Sequence, residues 1–236
     1  MDKIYLKNVT LVAVSSVMIE ETIYALLQSM KGVEYFDVIL ISHERPVNLL
    51  DNINFKKCNN LKNISDYNKF ILFNLSDYVN SDFVLIVQYD GYVLKPKLWD
   101  DNFLQYDYIG APWKKNIYFD SLGNNIRVGN GGFSLRSKKL LNAFNNLKVD
   151  PLGDIIKYNE DGIICIHFRK ELERMGCVFA PISVASKFSF EKKLKDSELK
   201  TFGFHTYKTN FSTKIKNLLK VLFSFIGIKI RRKIKK

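Results

Sequence analysis

Cysteine, glycine and proline are scarce in this chain, and their scarcity excludes several classes of protein. The 236 residues include three widely spaced cysteines, which cannot form a disulfide framework or the paired cysteines of a zinc site. With 12 glycines and five prolines, the chain is not fibrous or of low complexity. Apolar residues make up 47% of the chain, enough to bury a core, so wholesale disorder is excluded. We expect Cys165 and Cys177 to be small core residues in a reducing cytoplasm.

Long apolar runs are absent, and one part of the chain has no acidic residue. No stretch reaches the roughly 18 apolar residues of a membrane-spanning helix, and the apolar run at 9–14 is too short for a secretory signal. The net charge is +12, but residues 211–236 hold nine basic residues and no acidic one, so residues 1–210 carry only +3. We therefore predict a domain at 1–210 and a tail at 211–236.

The tail has the pattern of a basic amphipathic helix. Its apolar residues recur every three to four positions, and lysines and arginines take the other positions. As a helix, the apolar segment 218–228 would be about 16 Å long, against about 30 Å for a bilayer core. The tail is thus expected to lie on an anionic membrane surface, which would make the protein cytoplasmic and peripheral at the inner face of the cell membrane. The alternatives are a partner-docking helix and a nucleic-acid tail; nucleic acid is disfavoured because residues 1–210 are nearly balanced in charge.

The body of the chain alternates apolar strands with helices. Strands are predicted at 9–14, 36–41 and 82–88, with helices at 20–31 and 67–78. This rhythm predicts an α/β domain with a Rossmann-type central sheet of parallel strands flanked by helices. Later segments follow as a strand at 133–135, a helix at 138–147, a helix at 162–175 and a strand at 178–180.

Ligands of open α/β sheets bind beyond the carboxyl ends of the strands, where this chain places polar residues. Ser15 follows the first strand, and Gln88, Tyr89 and Asp90 follow the third. A carboxylate at the position of Asp90 can hold a hard cation that bridges a diphosphate. The Asp90-Gly91 pair can equally be a plain turn.

Three further segments could carry chemistry. The glycines of residues 129–132, which surround Asn130, let a ligand approach the backbone, although a turn or bulge explains them equally well. Glu160 and Asp161 open a predicted helix, where an acidic residue either caps the helix or serves as a general base. His205 is either structural or a second metal ligand beside Asp90. The aromatic residues at 99–119, among them Trp113, either stack on sugars or cap the core.

Each segment is weak alone, but the ordered series resembles the GT-A class of nucleotide-sugar glycosyltransferases. More narrowly, it resembles a bacterial family of proposed glycosyltransferases that is catalogued mainly as a domain of unknown function. The resemblance covers roughly residues 8–207. It rests on QYDG at 88–91, YIGAPW at 108–113, VGNGGFSLRS at 128–137, NED at 159–161, ASKFSFE at 185–191 and FGFH at 202–205.

The resemblance implies a donor site, a metal site and an acceptor site. It implies that a nucleotide sugar, with a UDP-sugar favoured, is bound by Ser15, Gln88, Tyr89, Asp90 and Lys187. The Asp-x-Asp signature of the class is incomplete because Gln88 replaces the first carboxylate, so Mn²⁺ or Mg²⁺ would be held by Asp90 and His205. The acceptor would contact Trp113, Asn130, Gly131 and Gly132.

The last acid of the NED segment implies an inverting reaction. In inverting members of the class this residue deprotonates the acceptor hydroxyl, a role that carries over to Asp161, with Glu160 as its orienting neighbour. The implied function is transfer of a sugar to a glycan or a lipid-linked glycan in bacterial surface polysaccharide biosynthesis. One alternative is a nucleotidyltransferase, although residues 15–18 lack the glycine-rich loop that it needs. The other is a non-catalytic, membrane-docked module that binds nucleotides or carbohydrates, which the incomplete Asp-x-Asp pattern leaves open.

Overall fold

A mixed six-stranded sheet forms the centre of the protein. The computed structural model describes residues 3–47, 49–113, 118–119, 125–147, 158–191 and 200–205. The strand order in the sheet is β3-β2-β1-β4-β9-β6; the first four strands run parallel, and β9 and β6 are antiparallel to their neighbours. The sheet strands are β1 (Ile4–Val14), β2 (Val33–Ser42), β3 (Asn54–Lys57), β4 (Phe83–Val87), β6 (Tyr108–Gly110) and β9 (Phe133–Ser137).

The central strands are apolar throughout because both faces of the sheet are covered. Along β1, Leu11 and Ala13 pack into one core cluster, whereas Val12 and Val14 pack into a second cluster on the opposite face. Side chains alternate between the faces of a strand, so a strand covered on both faces is a continuous apolar run instead of an alternating one. The run VTLVAV at 9–14 therefore marks the middle of the sheet.

Helices cover both faces, and two of the predicted helices are interrupted. The predicted helix at 67–78 begins at Ile64, where the Asn63 side chain accepts a hydrogen bond from the backbone N–H of Asp66 at 2.9 Å, and it contains a π-helical turn. The predicted helix at 162–175 is broken at Phe168 after a second π turn. The helices are α1 (Ile19–Ser29), α2 (Ile64–Lys69), α3 (Leu75–Tyr78), α4 (Lys138–Asn146), α5 (Glu160–Gly162), α6 (Arg169–Arg174) and α7 (Ile182–Phe188), with π turns at Phe70–Asn74 and Ile163–His167 and 3₁₀ turns at Pro96–Leu98 and Asp101–Gln105.

A small second sheet brings the end of the described chain back to the edge of the first. Its order is β10-β11-β5, and a further hairpin pairs β7 with β8. Because β5 follows β4 after three residues and pairs antiparallel with β11, His205 lies opposite Gly91. The strands are β5 (Gly91–Val93), β7 (Tyr118–Phe119), β8 (Asn125–Ile126), β10 (Ser189–Glu191) and β11 (Gly203–His205).

The structure confirms the α/β class and corrects some details. The prediction of a parallel sheet holds for β1 to β4 but not for β6 and β9. Residues 178–180 form no strand, only a single bridge between Tyr108 and Phe179. All three cysteines are buried and free, as expected of Cys165 and Cys177. The predicted boundary near residue 210 and the amphipathic tail at 211–236 lie outside the described residues. Among the described helices, none has the length and apolar character needed to cross a bilayer.

Candidate active site

The turn after β4 and the glycine-rich loop before β9 are joined through the backbone. The N–H of Gln88 donates to the carbonyl of Gly132 at 3.0 Å, and the N–H of Gly91 donates to the carbonyl of Gln88 at 3.0 Å. The intervening turn carries Tyr89, which is exposed, and Asp90, which is buried. Two of the segments singled out in the sequence, QYDG and GNGG, are therefore parts of one site.

Asp90 and His205 form a buried pair at this edge of the sheet. His205 Nε2 lies 3.3 Å from Asp90 Oδ1. Burial lowers the pKa of His205, but the hydrogen bond and the charge of Asp90, followed by the charges of Glu191 and Asp161, raise it above its ordinary value. The predicted metal ligands thus lie side by side. A cation would have to displace the proton that this environment holds on the imidazole.

The donor set at this pair is small for a metal ion. Within the described ranges, no cluster of three or more His, Cys, Asp and Glu residues could hold a cation. One carboxylate and one imidazole leave most of the coordination sphere of Mn²⁺ or Mg²⁺ to other oxygens. The pair therefore fits a divalent cation only together with oxygens from a bound molecule such as a diphosphate.

The glycines of residues 129–132 lie against side chains of the site itself. A Cβ atom at Gly129 would lie 1.9 Å from Trp113 Cζ2, one at Gly131 would lie 1.8 Å from Glu160 Oε1, and one at Gly132 would lie 2.1 Å from His205 Nε2. Real Cβ atoms never come so close, so each position requires glycine. The GNGG segment therefore needs its glycines because the side chains of Trp113, Glu160 and His205 pack directly against the backbone of this loop.

Asn130, at the centre of the loop, has the left-handed backbone conformation, with φ of 67°. This conformation directs the N–H groups of Asn130 and Gly131 toward Asp161, whose Oδ2 accepts both hydrogen bonds at 2.9 and 3.2 Å. The Asn130 side chain is buried, and its Nδ2 finds no hydrogen-bond partner among the described residues. Asp161 is thus fixed to the loop, and the Asn130 amide keeps a donor available at the site.

Glu160 is held by Arg136 and Asn68, which sequence reasoning missed. Arg136 Nη2 donates to Glu160 Oε1 at 2.7 Å, and both side chains are almost fully buried. The Asn68 side chain accepts from the N–H of Glu160 at 3.1 Å and donates to the carbonyl of Tyr158 at 2.6 Å. An arginine inside the otherwise apolar and small-residue strand FSLRS was the available signal, because a buried arginine needs a carboxylate partner.

Asp161 has an environment suited to accepting a proton near neutral pH. Burial and the neighbouring charge of Glu160 raise its pKa, while the N–H groups of Gly162 and Gly131 and the charge of Arg136 lower it, and the result is about 6. Its Oδ1 accepts a hydrogen bond from the N–H of Gly162 at 2.8 Å. A base of this pKa is ionised at pH 7 and yet more basic than an ordinary aspartate.

A cavity of about 290 Å³ lies at the carboxyl ends of β1 and β4. Three predicted donor residues, Ser15, Gln88 and Tyr89, line it, and Gln88 Nε2 donates to the hydroxyl of Tyr67 at 2.9 Å. Burial, followed by the charge of Glu160, raises the pKa of that hydroxyl, so Tyr67 stays protonated. Further lining residues not anticipated from the sequence are Val14, Ser16, Val17, Thr22, Leu61, Lys62, Asn63, Ile64 and Tyr67.

Two predicted site residues remain to be placed, and neither lines this cavity. Lys187 is exposed in the last turn of α7 and is not among the residues that line this cavity. Trp113 is half-buried and packs against Gly129, the first glycine of the loop.

The fold is that of known glycosyltransferase structures. The galactosyltransferase LgtC, in a crystal structure with donor and acceptor sugar analogues, has a TM-score of 0.58 at 14% identity over 95% of this chain and 98% of its own. An active-site mutant of LgtC has a TM-score of 0.56 at 14% identity over 89% and 95% of the two chains. The apo form of the glycosyltransferase GlyE from Streptococcus pneumoniae TIGR4 has a TM-score of 0.51 at 10% identity, over 100% of this chain and 66% of its own.

These likenesses confirm the predicted GT-A-like fold. No curated protein sequence matches the chain significantly. A family model does match: residues 50–205, which include every predicted site residue except Ser15, fit the model described as "Protein of unknown function (DUF5672)". Since the match spans more than half of the chain, the protein belongs to the DUF5672 family.

Proposed function

We propose that this protein is a glycosyltransferase that moves a sugar from a nucleotide-sugar donor, with a UDP-sugar favoured, to a hydroxyl of a glycan or a lipid-linked glycan. The observation that carries the proposal is the loop at 129–132, which binds Asp161 through two backbone N–H groups and packs its last glycine under His205. A proton acceptor and a candidate diphosphate site thereby contact the same short loop. Bacterial surface polysaccharide assembly is the proposed setting.

On the donor side, the nucleotide is proposed to occupy the cavity lined by Ser15, Gln88 and Tyr89, at the carboxyl ends of the strands. Asp90 and His205 would hold Mn²⁺ or Mg²⁺ together with the diphosphate oxygens. Such a cation would offset the negative charge on the departing diphosphate. The protonated hydroxyl of Tyr67 keeps Gln88 oriented in the wall of the cavity.

On the acceptor side, Asp161 is proposed to take the proton from the attacking hydroxyl. The bond from the acceptor oxygen to the anomeric carbon forms as the bond from that carbon to the phosphate oxygen breaks, so the configuration inverts and the nucleoside diphosphate leaves. Glu160, which is held in an ion pair with Arg136, orients the start of α5. Trp113, Asn130, Gly131 and Gly132 are proposed to contact the acceptor.

Nucleotide release from a panel of UDP-, GDP-, CMP- and dTDP-sugars tests this function. With Mn²⁺ and a mixture of glycan acceptors, we expect turnover of one donor, with inverted configuration in the product by NMR. A chelator is expected to lower the rate at least tenfold, because it removes the charge that offsets the leaving group. Turnover that survives the chelator would remove the metal role from Asp90 and His205. Absence of both turnover and nucleotide binding in the folded protein would favour the non-catalytic module.

The tail at 211–236 is proposed to hold the enzyme on an anionic membrane surface, where lipid-linked acceptors lie. Each basic residue near such a surface contributes about 1 kcal/mol, although not additively. Replacing the six basic residues of 229–236 with glutamine in the full chain is expected to weaken cosedimentation with phosphatidylglycerol vesicles more than tenfold. Phosphatidylcholine vesicles serve as the control. Equal sedimentation of the two proteins with the anionic vesicles would contradict a membrane role for the tail.

A further inference from the structure

A second cavity lies on the acceptor side of the loop and has a distinctive charge. Its volume is about 430 Å³, within the range of small-molecule binding sites. One wall, residues 125–128, runs directly into Gly129 of the glycine-rich loop, and α6 supplies another. The charged residues among its described lining are Arg127, Arg169 and Glu173. Neither arginine has a part in the proposed chemistry, so this cavity is not explained by the catalytic site.

Arg169 is fixed in orientation by an aromatic ring and a carboxylate. Its Cζ lies 3.8 Å from the centroid of the Phe179 ring, and its Nε lies 2.5 Å from Glu173 Oε1. Stacking on the ring fixes the plane of the Arg169 guanidinium group. The contact with Glu173 uses only one of the three guanidinium nitrogens. The two terminal nitrogens of Arg169 have no hydrogen-bond partner in the part of the chain that the structure describes.

Arg127 is held in place by a backbone carbonyl group, which is neutral and does not compensate the charge of the guanidinium group. Its Nε and Nη2 donate to the carbonyl oxygen of Trp113 at 3.3 and 3.1 Å. In the described ranges it forms no ion pair with a carboxylate. Among the described residues that line it, the cavity therefore holds two arginines against one glutamate, a surplus of one positive charge. Trp113 is also the residue that packs on Gly129, so Arg127 is tied to the acceptor side of the loop.

We infer that this cavity binds an anionic group of the acceptor, a phosphate or a carboxylate. The inference rests on the proposed glycosyltransferase function, which it deepens by naming the acceptor as acidic. Two guanidinium groups that are held in place before binding suit planar or tetrahedral oxyanions, and they lose little conformational freedom when the anion arrives. An anionic group held there anchors the acceptor beside Trp113. The reacting hydroxyl of the acceptor then remains available to Asp161.

Calorimetric titration of the full chain with glucose 6-phosphate, glucuronate and glucose tests the inference without requiring turnover. We expect one of the two anionic sugars to bind at least tenfold more tightly than glucose, and the stronger of the two identifies phosphate or carboxylate as the acceptor group. Arg127→Gln and Arg169→Gln should each weaken that binding about tenfold, because a hydrogen bond between charged groups is lost. UDP titrated into the same variants should bind as it does to the parent protein.

Two further variants separate a built site from general electrostatics. Arg174→Gln removes the same charge from the exposed end of α6 but lies outside the cavity wall, and its affinity for the anion should stay within about twofold of the parent. Glu173→Gln removes the carboxylate that competes for Arg169 and should tighten binding severalfold, a gain that misfolding cannot produce.

The inference is overturned if the anionic sugars bind no better than glucose, if Glu173→Gln brings no gain, or if Arg174→Gln weakens binding as much as Arg169→Gln does. Anion binding that persists while no nucleotide sugar of the donor panel is either turned over or bound would instead refute the transferase function and leave the anion site in place.

Discussion

Replacing Asp161 with alanine is expected to lower the rate of sugar transfer by about 10²–10⁴-fold, the usual contribution of a general base. The carboxylate is bound by the loop at 129–132, whereas the cavity proposed for the nucleotide is lined by residues of other segments. Nucleotide affinity, measured by calorimetry, should therefore stay close to that of the parent protein. Asp51→Ala, which removes an exposed carboxylate in a turn that supplies none of the site residues, is the control and should keep full activity.

Asparagine at the same position distinguishes a base from a structural anchor. Asp161 Oδ2 accepts two backbone hydrogen bonds from the loop, and the amide oxygen of asparagine can accept them as well. A purely structural role therefore predicts that Asp161→Asn is much more active than Asp161→Ala. The base role predicts that both variants are equally slow, because an amide cannot take a proton at neutral pH. Recovery of activity by asparagine would remove Asp161 from the chemistry.

The pH dependence gives a second signature of Asp161. Burial and the charge of Glu160 raise its pKa to about 6, and only the ionised form accepts a proton. Activity should thus be present above pH 6 and fall as the pH drops through 6, reaching about tenfold per pH unit below it. The same limb should be missing from the residual activity of Asp161→Asn. A limb that persists unchanged in this variant would belong to another group, with His205 the first candidate because its pKa is also raised.

The sheet could be predicted from the sequence where its strands are long and covered on both faces. Residues 9–14, 36–41 and 82–88 form apolar runs, and such runs indicate the centre of an α/β sheet. Of the antiparallel pair, β9 was predicted as a strand at 133–135, whereas β6, which has only three residues and pairs with β9 across a long separation in sequence, was not. Strand direction depends on these long-range pairings and is not encoded locally.

His167 shows how a π turn makes a prediction from helical periodicity wrong. It lies among apolar residues, and a regular helix through 162–175 would bury it in the core. In the structure it is exposed and lies against the ring of Tyr158, 4.7 Å away between ring centroids. The π turn at Ile163–His167 inserts an extra residue and rotates the following side chains around the helix axis. Because π turns depend on tertiary packing, the sequence gives little warning of them.

The site could be predicted in part, because strand ends are local features and loop contacts are not. The position after β1 and β4 indicated Ser15, Gln88 and Tyr89, which do line one cavity. Only the family resemblance distinguished Asp161 from Glu160, since the two are neighbours of similar chemistry. The difference comes from Arg136, 24 residues away, which pairs with Glu160 and leaves Asp161 to the loop. Adjacent residues of similar chemistry thus acquire different environments from partners that are distant in sequence.

Arg136→Met is expected to lower the free energy of unfolding by about 3–5 kcal/mol, the usual cost of breaking a buried ion pair. Both side chains are almost fully buried, so the substitution leaves the carboxylate of Glu160 without its partner in a low-dielectric interior. The Arg136 guanidinium also lies 5.2 Å above the ring of Tyr108, a contact that methionine replaces only in part. Urea denaturation measures the loss. Lys3→Met, which breaks the exposed Lys3–Glu34 pair at 3.6 Å, should cost no more than about 1 kcal/mol.

The double variant Arg136→Met/Glu160→Gln should recover much of the lost stability, because the unpaired charge is gone. Transfer activity, which we expect both Arg136→Met and the double variant to lack, should not return with the stability. In both, the ion pair that anchors the start of α5, and with it Asp161, is absent. This combination of restored stability and absent transfer is the signature of a pair that positions the base. A double variant that loses as much stability as the two single variants combined would instead mean that the charges do not interact, and recovered transfer would mean that Asp161 is held by the loop alone.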